Sequence, residues 1–308
     1  MKKSILKNII IAGPTASGKT KLSIDVALKV KGEIINADSM QIYRGLDTLN
    51  AMPSSENFKI VPHHLFSFNE LEKKYSVSQW LKLASHKTNE INQKGKPAIF
   101  VGGSGMYLNA AINGISRIPN INLETKTYLE KLYQDLGKKT FFSKLCDLDP
   151  LASQRLVFND TYRVFRAFEV FLQTGKSIFW WHKQKQTTPI LENAKKILIM
   201  PSKMELYSRI ERRFDLMISS GAFEEVREVL NKNLKSDLPS MKTLGVKQLI
   251  NYFKGSIPLE EAIMLAKRDS RRFAKRQLTW FRNSFEPDKI ISGIYNGKIE
   301  DLSFLYDD

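Results

Sequence analysis

The stretch Ile9-Ile10-Ile11-Ala12-Gly13-Pro14-Thr15-Ala16-Ser17-Gly18-Lys19-Thr20 decides how this chain folds. Its last eight residues match G-x-x-x-x-G-K-[ST], the phosphate-binding P-loop. The apolar run before them reads as a buried strand. Leu22, Ile24, Val26, Ala27 and Leu28 after them read as one face of a helix. At such a strand-to-helix turn, glycines let the backbone close around phosphate oxygens, and N–H groups and the positive helix end face the anion. Gly13, Pro14, Thr15, Ala16, Ser17, Gly18, Lys19 and Thr20 are therefore the candidate ligands of a di- or triphosphate. Lys19 can reach a terminal phosphate and the Thr20 hydroxyl can ligate Mg²⁺. The motif leaves open whether the bound phosphate is transferred, hydrolysed or expelled.

Outward from this octet the pattern alternates. Lys31–Asn36 reads as a second strand ending at Ala37-Asp38-Ser39. Ser76 reads as the cap of a helix running to about Gln93, and Ala98-Ile99-Phe100-Val101 reads as a buried strand ending in Gly102-Gly103-Ser104-Gly105. Strand, glycine-rich turn, helix, strand is the grammar of an α/β fold with a parallel sheet, whose sites lie at the carboxyl ends of the strands. The P-loop, Asp38-Ser39 and Gly102–Gly105 are expected to meet there. From about residue 118 to 193 the strand signal gives way to helical patterns over Leu123–Leu136, Pro150–Val157 and Asp160–Gln173, so an all-helical insertion is expected. Residues 1–117 and 194–308 then form the core. In the second part Lys196–Met200 reads as a returning strand, Ser202-Lys203-Met204-Glu205 as a capping box, and Pro258 as the start of a long final helix running past Trp280.

The net charge of +16 over 308 residues points to a polyanionic partner such as nucleic acid. The charge is concentrated in residues 264–282, MLAKRDSRRFAKRQLTWFR, where Lys267, Arg268, Arg271, Arg272, Lys275, Arg276 and Arg282 face only Asp269 within the segment. Stacking like charges on one helix is unfavourable unless an anion lies near. A second cluster, Arg155, Arg163 and Arg166, falls in the helical insertion, and the two are expected to grip a nucleic acid. The one cysteine, Cys146, excludes an intrachain disulfide and a cysteine zinc site, which fits a reduced cytoplasmic setting. His63 and His64 read as structural. Lys2, Lys3 and Lys7 imitate the start of a signal peptide, but the apolar stretch behind them is too short and runs into the P-loop. No apolar run approaches the roughly 18 residues of a membrane span.

Several segments in order carry a specific resemblance: Gly13–Thr20; Asp38-Ser39-Met40-Gln41-Ile42-Tyr43; Gly102-Gly103-Ser104-Gly105-Met106-Tyr107; Asn159-Asp160 followed by Arg163, Arg166 and Glu169; Arg209-Ile210-Glu211 with Arg213-Phe214; and Ala274-Lys275-Arg276-Gln277 with Thr279-Trp280. Over nearly its whole length the chain resembles the bacterial tRNA dimethylallyltransferases, also called tRNA isopentenyltransferases. The resemblance implies a P-loop kinase-like core whose helical insertion embraces the tRNA anticodon arm. It implies transfer of a dimethylallyl group from dimethylallyl diphosphate to N6 of the adenine 3′ of the anticodon, with diphosphate leaving and Mg²⁺ assisting.

By the same resemblance Gly13–Thr20 bind the diphosphate, Asp38 is the general base, Arg213 lies on the diphosphate or the target nucleotide, and Lys19 and Thr20 complete the catalytic set. The tRNA-contacting segments are Asp38, Ser39, Met40 and Gln41; Ser104; Tyr162, Arg163, Val164, Phe165 and Arg166; and Lys242, Thr243, Leu244, Gly245, Val246 and Lys247. Arg271, Arg272, Lys275 and Arg276 join them on charge. A monomer is expected. Tyr43 and Tyr107 are expected to pack rather than to stack on bases.

The chain departs from the family pattern at Leu49-Asn50-Ala51-Met52-Pro53, where Gly-Thr-Ala-Lys-Pro is usual, and at Gly245-Val246-Lys247-Gln248, where an aromatic residue usually follows the glycine. These changes bear on loop shape and tRNA preference and remove no catalytic group. The competing readings are a P-loop nucleotide or metabolite kinase, an RNA-stimulated ATPase, and a prenyltransferase of free adenylates. The ATPase needs a strand ending in an acidic residue, which neither Ala98–Val101 nor Ile197–Met200 supplies. The basic final helix is superfluous to the other two.

Overall fold

The computed structural model describes residues 7–184, 186–297 and 302–305; Lys2 and Lys3 lie outside this range. Six strands, β1 (Ile9–Ala12), β2 (Glu33–Asn36), β3 (His63–His64), β4 (Ala98–Gly102), β5 (Lys195–Met200) and β6 (Lys289–Ser292), form one sheet in the order β3-β2-β4-β1-β5-β6. Every ladder is parallel. β1, β2 and β4 are buried at every position, as central strands covered on both faces must be; β1 and β4 therefore read as unbroken apolar runs, whereas β2 has the buried, hydrogen-bonded Glu33 and Asn36 at its two ends. The edge strands β3 and β6 are short and partly exposed, and carry no such signal.

The helices are α1 (Lys19–Val30), α2 (Ser55–Ile60), α3 (Val77–Gln93), α4 (Gly105–Asn113), α5 (Leu123–Leu148), α6 (Pro150–Arg155), α7 (Thr161–Thr174), α8 (Ile178–His182), α9 (Lys203–Ser219), α10 (Ala222–Asn231), α11 (Val246–Phe253) and α12 (Leu259–Ser284). Ser76 and Ser202 each accept the N–H of the third residue of α3 and α9 in full capping boxes. Pro258 stands at the N-cap of α12.

The chain divides into two compact units, residues 1–112 with 190–308, and residues 113–189. The second unit has its own core of Leu129, Phe141, Leu145, Ala152, Val164, Ala167 and Phe168. Its first helix runs well beyond the expected Leu136, because the chain bends at Gly137 (φ 68°) and resumes helical geometry beyond it. In the first unit, Ile9, Ile11, Leu22, Ile34, Ile99 and Ile199 pack the sheet against α1. A separate cluster joins Ile42, Leu46 and Leu49 to Phe214, Val226, Val246 and Leu249. This cluster seats the loop after β2 on α9, α10 and α11. His64 bonds the buried Glu33 carboxylate at 2.9 Å. Burial opposes ionisation of Glu33, but its bonds to His64 and Lys96 outweigh that cost and bring its pKa to about 2, so this end of the sheet is structural.

Candidate active site

A cavity of about 540 Å³ opens where β1, β2 and β4 end. Thr15–Thr20 line one side of it, Asp38 and Gln41 another, with Val101 and Gly102 between. The order β2-β4-β1 places the end of β4 between the P-loop and the Asp38 turn. Two glycines permit this crowding. A Cβ on Gly102 would fall 2.1 Å from the Ala37 carbonyl oxygen, and one on Gly105 would fall 2.5 Å from the Trp280 ring.

Asp38 is held by its neighbours. The fully buried Asn36 accepts the Asp38 N–H at 2.8 Å and donates to the Asp38 carbonyl at 3.0 Å and the Leu65 carbonyl at 2.9 Å. The Trp80 indole N–H donates to the Asn36 carbonyl at 3.0 Å. Asp38 Oδ1 accepts the Met40 N–H at 3.0 Å, a local turn that fixes the carboxylate. The Ser104 hydroxyl accepts the Ser39 N–H at 2.9 Å and bonds the Ser39 hydroxyl at 3.1 Å, tying the turns after β2 and β4 together. Gln41 donates to the Asn50 and Ala51 carbonyls at 3.0 and 2.9 Å. Its amide nitrogen therefore shapes the wall of the cavity.

Positive charge crowds the same space. Arg209 and Arg213, one helical turn apart on α9, both line the cavity with Lys19. Arg213 donates to the Thr15 hydroxyl at 2.6 Å, and Lys19 Nζ donates to the Pro14 carbonyl at 2.7 Å. Burial pulls the Lys19 pKa down to about 8, against the attraction of Asp38 and with repulsion from Arg213. Burial and the nearby Arg209 pull Arg213 down to about 10, with Asp38 again opposing. Burial, with Arg212 beside it, lowers Arg209 as well. Three cations held below their ordinary pKa values by burial and by neighbouring positive charge make this cavity a candidate site for a multiply charged anion. The Ser17 hydroxyl is buried without a hydrogen-bond partner among the described residues, so its O–H is available to donate to a phosphate oxygen.

Sequence reasoning quoted Gln277 and Arg209 without assigning either. Gln277 is buried on α12, accepts the Thr15 N–H at 2.8 Å, and donates to the Gly103 carbonyl at 2.9 Å. Arg209 was legible from its spacing of four residues from Arg213. Gln277 was not, because only the packing of α12 on Gly103 and Gly105 brings it to the P-loop.

The candidate RNA-contacting residues divide by burial. Val164 and Val246 lie in cores, as does Thr243, which packs beside Met40, so their side chains are closed to solvent. A contact with RNA at these positions would run through the backbone or through neighbouring side chains. Gly245 supplies a left-handed turn at the start of α11, Leu244 is half-buried, and Lys242 and Lys247 are exposed. In the second unit Tyr162 is 77% exposed, while Arg163 pairs with Asp160 and Arg166 with Glu169. Phe165 packs on Tyr133 and Phe141. Tyr43 and Tyr107 are buried, Tyr107 stacked on Trp80 at 4.4 Å.

On α12 the expectation that only Asp269 opposes the basic residues is corrected. Lys267 pairs with Asp215 at 2.6 Å, and Arg271 pairs with Glu211, both acids on α9. Arg268 and Arg272 share Asp269 at 3.2 and 3.6 Å. Lys275 and Arg276 are exposed and have no carboxylate partner among the described residues. With Arg272, Thr279, Trp280 and Asn283 they line a shallow groove of about 550 Å³.

Comparison with known proteins agrees with this geometry. The family model "IPP transferase" matches residues 41–284, and "Isopentenyl transferase" matches residues 6–70. The tRNA dimethylallyltransferase of Ehrlichia canis is 40% identical over 277 residues, 90% of this chain and 92% of that protein. A solved tRNA isopentenylpyrophosphate transferase from Bacillus halodurans is 35% identical with a TM-score of 0.67, covering 93% of this chain and 90% of its own. A eukaryotic dimethylallyltransferase acting on tRNA shares the fold at 24% identity and a TM-score of 0.80, covering 93% of this chain and 73% of its own. With a cavity that joins a P-loop to Asp38 at the ends of a parallel sheet, and with relatives matched over nine-tenths of its length, the chain belongs to the IPP transferase family.

Proposed function

We propose that this protein transfers a dimethylallyl group from dimethylallyl diphosphate to N6 of the adenine 3′ of the anticodon in tRNA. The observation that carries the reading is the single cavity lined by Lys19, Arg209 and Arg213 together with Asp38. The cations suit a departing diphosphate and the carboxylate suits a proton. The N6 lone pair is delocalised into the purine ring, so N6 attacks the allylic carbon well only as its proton departs. The N–C bond forms, the C–O bond to diphosphate breaks, and the proton goes to Asp38. General base catalysis of this kind contributes a factor of roughly 10²–10⁴. Lys19, Arg209 and Arg213 stabilise the negative charge gathering on the leaving group through preorganised electrostatics.

Mg²⁺ fits this site. Among the described residues there is no cluster of three His, Cys, Asp or Glu side chains that would hold a metal unaided. The cavity does offer a hard oxygen donor, the Thr20 hydroxyl. Thr20 would hold the ion against the diphosphate, where it would neutralise leaving-group charge.

Lys275, Arg276 and the exposed lysines of 242–247 supply phosphate contacts to the tRNA, and the second unit contributes Tyr162, Arg163 and Arg166 at the anticodon arm. The adenine is drawn out of its stack into the cavity, at a cost of a few kcal/mol that these contacts offset. No helix of the described residues is long and apolar enough to cross a membrane; a monomer in the cytoplasm suits a tRNA substrate.

The test combines purified protein, Mg²⁺, labelled dimethylallyl diphosphate and unmodified tRNA, followed by nucleoside mass analysis. One dimethylallyl group on adenosine, dependent on all components, is the expected result. Consumption of ATP with no prenyl transfer would assign the P-loop to a kinase instead.

A further inference from the structure

Beyond the residues matched by the IPP transferase model, the chain leaves β6 and returns to the P-loop. Tyr295 lies there, 3% exposed, within the core cluster that includes Leu22 and Ile24. Its backbone N–H donates to the Ser17 carbonyl at 3.1 Å, and its phenol donates to Asp25 Oδ2 at 2.7 Å. The next residue accepts Lys21 Nζ on its carbonyl at 2.7 Å. The fit is close: a Cβ on Gly18 would fall 2.7 Å from the Tyr295 carbonyl oxygen. Lys21 and Asp25 both line the cavity that Thr15–Thr20 enclose.

We propose that Tyr295 is a positioning residue for the diphosphate site, setting the direction of the Ser17–Gly18 peptide and engaging the Asp25 carboxylate. The inference rests on the reading of the cavity as a diphosphate site. In a trans peptide the C=O and N–H point in opposite directions. Anchoring the Ser17 carbonyl to Tyr295 therefore turns the Gly18 N–H to the opposite side of the loop. Gln277 acts on the neighbouring turn by taking the Thr15 N–H.

Asp25 presents the second requirement. A carboxylate lining an anion site repels the ligand unless its charge is met by a donor. The Tyr295 phenol is that donor. Burial and the adjacent Asp25 push its pKa up, so it stays protonated and donating. The Lys21 ammonium donates to the Asn296 carbonyl, and among the described residues the side-chain hydrogen bond of Asp25 is the one from Tyr295.

Tyr295→Phe keeps the ring in the core and removes one charged hydrogen bond, an interaction strong enough to shift binding by roughly five- to tenfold. The experiment measures binding of inorganic diphosphate with Mg²⁺ by calorimetry, together with KM for each substrate. Diphosphate binding weakened by about that factor, a matching rise in donor KM, and a tRNA KM within about twofold are expected. In an Asp25→Asn background the same substitution is expected to change diphosphate binding by less than about twofold, since the charge to be met is gone. A merely structural role would give the same loss in both backgrounds, and that result would overturn the proposal. So would unchanged diphosphate binding by Tyr295→Phe. Prenyl transfer by the wild-type protein is measured alongside: its absence refutes the underlying reading, whereas transfer with equal diphosphate binding refutes only the role of Tyr295.

Discussion

Gln277, on the long basic helix, accepts the Thr15 N–H of the P-loop at 2.8 Å while donating to Gly103 at 2.9 Å. One buried amide thus joins the long basic helix to both the phosphate-loop motif and the turn after β4. The Pro14–Thr15 peptide is turned by this bond, so its carbonyl meets Lys19 at 2.7 Å on the other side.

Replacing Gln277 by Met keeps the volume and removes both bonds, leaving two main-chain groups unsatisfied at a cost of roughly 1–3 kcal/mol each. Donor KM should rise about tenfold or more, with a smaller change in tRNA KM and a melting temperature lower by several degrees. Steady-state kinetics with each substrate varied in turn will show it. Equal rises in both KM values would mean that the bond supports the helix and not the loop.

Asp38→Asn is the cleaner probe of the proposed base. It retains an oxygen to accept the Met40 N–H, now bonded to Oδ1 at 3.0 Å, and so keeps the turn. Turnover should fall by roughly 10²–10⁴ while tRNA affinity stays close to wild type. Full turnover in this variant would remove Asp38 from the role.

The lowered pKa of Lys19 has a signed consequence. With a folded pKa of about 8 against an ordinary 10.5, Lys19 loses its proton in the free protein as pH rises through 8. Donor kcat/KM should therefore fall above about pH 8, with that limb absent in Lys19→Met. The unfolded chain binds more protons than the native one between the two pKa values, so the Lys19 contribution to stability rises with pH across that window. Bound diphosphate should move the limb to higher pH by favouring the charged amine.

The cations of α12 are not equivalent. Lys275→Glu with Arg276→Glu should raise tRNA KM and flatten the log–log salt dependence by roughly one to two units, because these cations have no carboxylate partner among the described residues. Arg271→Ala should affect tRNA less, since Arg271 is already engaged by Glu211. Titration of KM against KCl separates the two cases.

The alternating apolar runs and glycine turns of the first hundred residues were enough to place β1, β2 and β4, because central parallel strands are covered on both faces and so carry consecutive apolar residues, even in β2, where only Ile34-Ile35 are apolar. The cap at Ser76 and the capping box at Ser202 marked the starts of α3 and α9 to the residue, because a cap is a local hydrogen bond. β3 and β6 were invisible, since two and four residues at a sheet edge have no periodicity of their own. The same locality explains the misjudged charge on α12: sequence shows Asp269 nearby but not that α9 brings Asp215 and Glu211 against it.

The sequence by itself determined the P-loop, the parallel α/β core, the helical insertion and the family, all of which reside in spacing along the chain. Tertiary structure alone decided that Asn36 holds Asp38, that Gln277 and Tyr295 bond the P-loop at Thr15 and Ser17, and that Val164 and Val246 face inward. These are contacts between residues up to 278 positions apart. No local pattern encodes such a contact, because its energy is realised only when helix packing brings the partners within hydrogen-bond reach.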